Sequence, residues 1–171
     1  MSIVSSMASK QDIVAEIPRL RRYARALTGD LARADDLVQD TLERALSKWS
    51  LWRPGNLRAW LLTIMHNVFV NQWRAAAPLD FPGDDALAEF ATRGDQEDTL
   101  ALRDLDRALQ RLSDEHREVL LLVGLESLSY DEVAKVLGVP IGTVMSRLFR
   151  ARERLRALLG GATPSHLKVV K

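Results

Sequence analysis

Apolar residues recur at every third or fourth position along most of the chain, the spacing that places them on one side of an α-helix. No segment shows the alternation of apolar and polar residues that is typical of a β-strand. The helical pattern falls into two blocks, residues 11–76 with three or four helices and residues 99–160 with four more. We therefore predict an all-α protein made of two small helical domains.

The segment between these blocks, residues 77–98, has a different composition. It contains two prolines and two glycines, and six acids from Asp84 to Asp98 stand against a single basic residue, Arg93. Proline, glycine and charge of one sign all disfavour a packed core. We predict a flexible acidic linker here.

Composition excludes several classes of protein. The chain of 171 residues is 47% hydrophobic and has a net charge of only +1, so any basic surface must be local. It has no cysteine, which excludes disulfides and thiolate metal sites and agrees with a reducing cytoplasm. The N-terminus lacks the pattern of a secretory signal, and no apolar run reaches the roughly 18 residues of a membrane span. We expect a cytoplasmic protein with no membrane insertion.

A helix-turn-helix is predicted in the second block. Ser129 and Glu132 have the spacing of a capping box, in which each side chain bonds the other residue's backbone N–H. Gly138 suits the left-handed turn that would end this short helix, and Pro140 then begins a longer one. A short helix, a tight turn and a longer helix form the outline of a common DNA-binding motif.

The longer helix is predicted to have a buried and an exposed face. Helical spacing places Val144, Leu148, Ala151, Leu155 and Leu158 on the buried side. Arginines on the other side are able to bond guanine edges and phosphates, and a phenylalanine is able to contact a thymine methyl group. An ordinary solvated face is the competing interpretation. The candidate contacts with duplex DNA are Thr143, Ser146, Arg147, Phe149 and Arg150.

The last helix of the first block begins at a plausible cap, Asn56, and is apolar around most of its circumference. A narrow polar strip remains, formed by Thr63, Asn67 and Arg74 and flanked by Trp60 and Asn71. Amides, guanidinium groups and aromatic rings along one strip suit unpaired nucleic acid, because aromatics stack on exposed bases. A core helix with a few satisfied polar groups explains the same pattern.

An acidic helix, "DDLVQDTLERAL", precedes it. Asp36, Asp40 and Glu43 are predicted to share its outer face, with Gln39 beside them. A metal or acid–base site would need acids that point inward together with correctly spaced histidines, and His66, His116 and His166 do not supply that spacing. A solvated face and a docking surface for a basic protein both remain open.

These segments resemble one known family, the extracytoplasmic-function (ECF) sigma factors. The residues "LSYDEVAKVLGVPIGTVMSRLFRARERLR" resemble region 4 of that family, which reads the −35 promoter element. Met145 departs from the family pattern, which often has a basic residue at this position. The departure implies that one phosphate or base contact is missing there.

The segment "NLRAWLLTIMHNVFVNQWRA" resembles regions 2.3–2.4, which open and read the −10 element, and "KWSLWRPGN" resembles the loop that captures a flipped base. His66 and Asn71 stand where many relatives have Arg and Asp, and "TIMHNVFVNQWR" points to the general stress response subgroup. The residues nominated for the −10 element are Trp49, Trp52, Arg58, Trp60, Thr63, His66, Asn67, Asn71 and Arg74.

The acidic helix resembles region 2.2, which binds the arginine-bearing clamp helices of the β′ subunit of RNA polymerase. Acids on this helix would give complementary charge. The residues that match the family's contact positions are Asp36, Gln39, Asp40 and Glu43, with Leu37 adding an apolar contact at the edge.

The resemblance implies a sigma factor that binds the β′ and β subunits of core RNA polymerase, recognises promoter DNA and is controlled by an anti-sigma factor. It implies no cofactor, no metal and no bond-making chemistry in this chain, and an acidic linker that runs toward the RNA exit path. A stand-alone helix-turn-helix regulator is the alternative, and a carboxylate enzyme, which should bind metal, is a second rival class.

Overall fold

The computed structural model describes residues 9–73 and 96–160, and every regular element within these ranges is helical. The first range, called here the N-terminal block, contains α1 (Lys10–Thr28), α2 (Leu31–Ser47) and α3 (Leu57–Val68). A 3₁₀ turn (Trp49–Leu51) lies between α2 and α3, and α3 continues into a π-helical turn (Phe69–Trp73). The predicted all-α class is confirmed.

The second range, the C-terminal block, contains α4 (Gln96–Gln110), α5 (Asp114–Gly124), α6 (Tyr130–Leu137) and α7 (Ile141–Leu158). α4 begins at Gln96, so its first three residues overlap the end of the predicted linker, residues 77–98. The rest of that linker lies outside the described residues.

Helix boundaries follow the local signals in the sequence. Asp30 and Asn56 cap α2 and α3 by accepting from the backbone N–H groups of Arg33 and Ala59. The capping box before α6 forms as predicted, with the Ser129 hydroxyl and the Glu132 carboxylate each accepting from the other's backbone.

Glycine and proline set the turn between α6 and α7. Gly138 ends α6 with a φ of 65°, the left-handed conformation that glycine adopts at little cost. Pro140 is the N-cap of α7 rather than its first helical residue, and α7 begins at Ile141. The predicted helix-turn-helix is therefore present, with α7 as its second helix.

One hydrophobic core runs through both blocks. In the N-terminal block, α2 packs against α1 and α3, while in the C-terminal block α7 packs against α5 and α6. The blocks also pack on each other, since α3 contacts α6 and α1 contacts α4 and α5. The fully buried side chains at the centre include Leu20, Leu27, Leu61, Met65, Leu122, Val133 and Leu148.

Among the described residues, no helix combines the length and apolar character that crossing a bilayer requires.

Candidate nucleic-acid and protein interfaces

The acids of α2 face outward, as the helical spacing predicted. Asp36 and Glu43 are exposed, and the exposed Gln39 donates from Nε2 to Glu43 Oε1 at 3.3 Å. Asp40 is half-buried. With its amide turned to satisfy both neighbours, Gln72 donates to Asp40 Oδ2 at 3.0 Å and accepts from Arg44 Nη2 at 2.9 Å. Asp36 and Glu43 are thus the more accessible charges of this face.

Leu37 does not lie at the edge of that face. Its side chain is 0% exposed and belongs to the core, and its carbonyl accepts from the Thr41 hydroxyl at 2.7 Å. The prediction of an apolar contact from Leu37 to a partner is wrong. The apolar stripe of α2 is broader than supposed, because α1 and α3 both pack against this helix.

A cluster of three tryptophans lies at the start of α3. Trp49 stacks on Trp52 with ring centroids 5.4 Å apart and planes 6° apart, and it meets Trp60 edge-on at 6.1 Å. All three are half-buried, so part of each ring remains accessible. The sequence nominated these residues singly, and the fold joins them into one aromatic surface.

The other −10 candidates divide into residues that contact no acid and residues that do. Asn67 and Asn71 are exposed, whereas the Thr63 hydroxyl is occupied by the Ala59 carbonyl at 2.8 Å. Arg74 lies outside the described residues. Arg58 and His66 form the second group, because both contact acids.

The partners of that second group come largely from the C-terminal block. Arg58 Nε lies 3.1 Å from Glu16 Oε2 and 4.0 Å from Glu126 Oε2. His66 Nδ1 pairs with Glu118 Oε2. Asn56, the cap of α3, donates to Glu132 Oε1 at 2.9 Å. Sequence reasoning missed these pairs, because their members are far apart along the chain. Arg58 and Glu16 are 42 positions apart, and the members of the other pairs are 52 to 76 positions apart.

On α7 the predicted division of faces is confirmed. Val144, Leu148, Ala151 and Leu155 are buried, and Leu158 is partly buried. Phe149 is 63% exposed and Arg150 is also exposed.

Two −35 candidates already have partners within the chain. Ser146 donates to the carbonyl of Thr143, itself half-buried, at 3.1 Å. Arg147 Nη2 lies 3.6 Å from Glu115 Oε1 on α5. Exposed Ile141 and Met145, which were not nominated, continue the apolar surface of Phe149 toward the start of the helix.

Arg117 is a buried cation that the sequence did not single out. Its guanidinium donates to the carbonyls of Leu109, Gln110 and Leu112 in its own block and to Leu27 in the other, at 2.8 to 3.0 Å. Burial lowers the pKa of Arg117, and the nearby carboxylates oppose that shift. These bonds tie the turn between α4 and α5 to the end of α1.

Burial also perturbs an acid in the same region. Desolvation raises the pKa of Glu126, against the opposing influence of Arg22, Arg58 and Arg19. Its Oε1 atom is buried and has no hydrogen-bond partner. Glu132 behaves oppositely, because the hydrogen bonds from Ser129 and Asn56 lower its pKa.

Family models match each block separately. Residues 13–66 match the Sigma2 domain of PhyR, and residues 102–155 match Sigma-70, region 4. Over 152 residues the chain is 40% identical to the ECF RNA polymerase sigma factor EcfG of Rhodopseudomonas palustris, covering 88% of this chain and 84% of that protein. The chain belongs to the ECF sigma factors.

Solved structures of similar proteins span both blocks. The sigma factor RpoE from Bartonella quintana, in complex with the anti-sigma factor NepR, is 35% identical with a TM-score of 0.75, covering 90% of this chain and 98% of that one. CnrH, in complex with the cytosolic domain of CnrY, is 28% identical with a TM-score of 0.65, covering 90% and 88%.

Family membership confirms several predictions at once. An ECF sigma factor directs RNA polymerase and is a transcription initiation factor without enzymatic activity, as the resemblance implied. The stand-alone regulator is set aside, because the similarity to EcfG extends over both blocks and not over the helix-turn-helix alone.

Proposed function

We propose that this ECF sigma factor docks on core RNA polymerase through the outer face of α2, reads and melts the −10 element with α3, and reads the −35 element with α7. The observation that carries the proposal is the presence on one chain of an outward-facing acidic helix and an exposed arginine-bearing helix-turn-helix. The two surfaces suit partners of opposite charge.

The acidic face of α2 supports docking on the arginine-bearing clamp helices of the β′ subunit. Asp36 and Glu43 are exposed on a helix whose other side is packed in the core, so the charges are held in a fixed direction. Complementary charge of this kind accelerates encounter and orients the partner. A further contact with the β subunit belongs to the same proposal.

The tryptophan cluster and the exposed amides of Asn67 and Asn71 support recognition of melted −10 DNA. Unpaired bases stack on accessible aromatic rings, and amides bond base edges. On α7, Phe149 and Arg150 are exposed and support reading of duplex DNA at the −35 element. Thr143, Ser146 and Arg147 flank them.

Regulation by an anti-sigma factor is part of the proposal. It is supported by the similarity to RpoE, which was solved in complex with the anti-sigma factor NepR, and to CnrH, which was solved in complex with the cytosolic domain of CnrY. The similarity to EcfG and to the Sigma2 domain of PhyR supports a role in the general stress response. We propose further that the acidic linker runs toward the RNA exit path of the polymerase.

Two neighbouring acids on α2 provide a matched test of docking. Asp35 and Asp36 are both exposed, but helical spacing turns Asp35 toward the flank and Asp36 into the acidic face. We expect Asp36→Arg to weaken binding to core polymerase on the order of tenfold, about 1.4 kcal/mol. Asp35→Arg makes the same change of charge and is expected to have a much smaller effect.

Binding to purified core polymerase is measured by fluorescence anisotropy, and promoter-specific transcripts are measured with a promoter library. Equal affinity for the two variants would contradict the docking assignment. Absence of new promoter-specific transcripts with the unaltered chain would contradict the proposed function as a whole.

A further inference from the structure

We propose that Met145 and Ile141 contact the methyl groups of thymines in the −35 element, and that they thereby select A·T pairs at two positions of that element. The inference rests on the proposed role of α7 in reading −35 DNA. It goes beyond that role because it assigns a base and a chemical group to two side chains that the sequence did not nominate.

The first observation is a stripe of large apolar side chains on the exposed side of α7. Ile141, Met145 and Phe149, called here the outer stripe, are four positions apart, so they lie near one another on one side of the helix. They are 39%, 48% and 63% exposed. Eight large hydrophobic side chains are exposed in the described part of the chain, and three of them belong to this stripe. A contiguous exposed apolar patch is typical of an interaction site.

The second observation is that the outer stripe is not part of the packed interior. On the opposite side of α7, Val144 and Leu148 are 0% and 2% exposed and belong to the shared core. Within the described ranges, no residue of the outer stripe belongs to that core, to the smaller apolar cluster around Leu155, or to the partly buried side chains packed against either. Packing of the fold therefore does not explain the stripe.

The charge of α7 indicates the kind of partner that the stripe fits. The helix carries five arginines and a single acid, Glu153. Arg150 and Arg154 are exposed. A helix of this charge attracts the phosphates of duplex DNA, whereas the centres of protein interfaces are depleted in charged residues. The partner favoured for the outer stripe is therefore DNA.

The place of the two side chains on the helix points to the base edges. In helix-turn-helix proteins the N-terminal residues of the second helix contact base edges in the major groove. Ile141 and Met145 are the first and fifth residues of α7. They lie closer to the helix start than Phe149, so they are the members of the outer stripe best placed to reach the bases.

The chemistry of these side chains selects one group on the DNA. Neither Ile141 nor Met145 has a hydrogen-bond donor, so neither is able to read the acceptor atoms of guanine or adenine. The apolar group on the major-groove edge of the base pairs is the C5 methyl group of thymine. Contact between this methyl group and an exposed apolar side chain removes both surfaces from water, which is favourable.

The spacing of the two side chains indicates two separate contacts. Four residues of an α-helix span about 6 Å, and successive bases of one DNA strand are about 3.4 Å apart. Ile141 and Met145 are therefore expected to contact different base pairs, one or two steps apart. Each side chain should have its own methyl-dependent position.

The test removes single methyl groups from the DNA. A promoter fragment is chosen from the library by its transcription with the unaltered chain and core polymerase. Each thymine of its −35 element, on either strand, is replaced in turn by deoxyuridine, which pairs as thymine does but lacks the C5 methyl group. Competition against a fluorescent promoter fragment measures the affinity of the holoenzyme at one fixed salt concentration.

We expect two thymines at which loss of the methyl group weakens binding of the unaltered holoenzyme by about three- to fivefold, the change for one methyl group returned to water. Met145→Ala should abolish this sensitivity at one of the two positions, and Ile141→Ala should abolish it at the other. Met145→Leu keeps an apolar side chain of similar volume and should retain both.

Leu102→Ala is the matched control. Leu102 lies on α4 of the same block and is 49% exposed, against 48% for Met145. This variant loses a similarly exposed apolar side chain and should keep both methyl-sensitive positions. The comparison uses the ratio of affinities for the thymine and deoxyuridine fragments, so that changes in folding or in phosphate contacts cancel.

Three results would overturn the inference. The first is equal affinity of the unaltered holoenzyme for all thymine and deoxyuridine fragments, and the second is a −35 element without an A·T pair. The third is methyl sensitivity that persists unchanged in Met145→Ala and Ile141→Ala. Loss of core polymerase binding in Met145→Ala without any methyl effect would also overturn it, and would assign the outer stripe to a protein partner.

Promoter-specific transcription separates this inference from the proposed function. If transcription is obtained and depends on Arg150, as tested with Arg150→Ala, while no methyl group affects binding, the inference fails and the proposed role of α7 stands. If the unaltered chain yields no promoter-specific transcripts, the proposed function itself fails.

Discussion

At the residue scale, burial decides which partners a side chain is able to contact. Arg117 follows His116 in an unremarkable polar stretch of the sequence, yet its side chain is enclosed and donates to four backbone carbonyls. Leu37 was likewise predicted at the exposed edge of α2, but its side chain is fully buried. In both cases the neighbours that decide the outcome belong to other helices.

Glu126 allows a prediction of pH dependence at the residue scale. Its pKa is raised by burial, so the folded state keeps this proton to a higher pH than the unfolded chain, whose value is near 4.5. The contribution to stability is therefore fully present below that pH and is lost as the pH rises through the raised folded pKa.

Glu126→Gln removes this titration. We expect the variant to lose less stability than the parent as the pH rises above 4.5, so that its melting temperature exceeds the parent's near neutrality. Scanning calorimetry from acid to neutral pH measures the difference, with Glu153→Gln, an exposed acid, as the control. If the melting temperatures of the parent and of Glu126→Gln changed with pH in parallel, burial of this acid would carry no cost in folding free energy.

At the scale of single elements, local chemistry in the sequence gave the most reliable predictions. The capping box before α6, the left-handed Gly138 and the buried side of α7 were all predicted and are all present. These features depend on residues within one or two helical turns. They are therefore independent of how distant segments pack.

Two glycines of the helix-turn-helix provide a matched prediction. A Cβ atom at either Gly138 or Gly142 would meet nothing within 4 Å, so only the backbone conformation distinguishes them. Gly138→Ala forces alanine into φ of 65° and should destabilise the protein by about 1 kcal/mol. Gly142→Ala lies within α7 and should stabilise it by up to about 1 kcal/mol.

Urea denaturation followed by circular dichroism measures both changes. Equal and unfavourable effects at the two positions would mean that the turn at Gly138 does not require the left-handed conformation.

At the scale of the whole molecule, the shared core is the main finding. The pattern along the chain predicted two blocks, and the structure contains them, but they are packed on each other through α1, α3, α4, α5 and α6. Across this contact His66 pairs with Glu118, and Arg58 lies 4.0 Å from Glu126 as well as 3.1 Å from Glu16 of its own block. The accessibility of candidate DNA contacts is thus decided by the arrangement of the blocks.

This packing predicts that the blocks stabilise each other. All four tryptophans belong to the sequence of the first block, so their fluorescence reports on its unfolding. Leu148→Ala removes a buried side chain from the C-terminal block and should cost about 2–5 kcal/mol. We expect the unfolding transition detected by tryptophan to move to lower denaturant concentration as well.

Phe149→Ala, at an exposed position one residue along α7, is the control and should leave the midpoint nearly unchanged. A tryptophan-detected transition that Leu148→Ala does not move would show that the blocks unfold independently.

By itself, the sequence determined the helical class, the two blocks, the helix-turn-helix and the outward direction of the acids on α2, because each depends on periodicity or on capping within a few residues. The joined surface of Trp49, Trp52 and Trp60, the enclosure of Leu37 and the partners of Arg58, His66 and Arg117 were decided only by tertiary structure. The physical reason is that burial and most ionic pairing here depend on side chains from separate helices, whose approach no local pattern encodes.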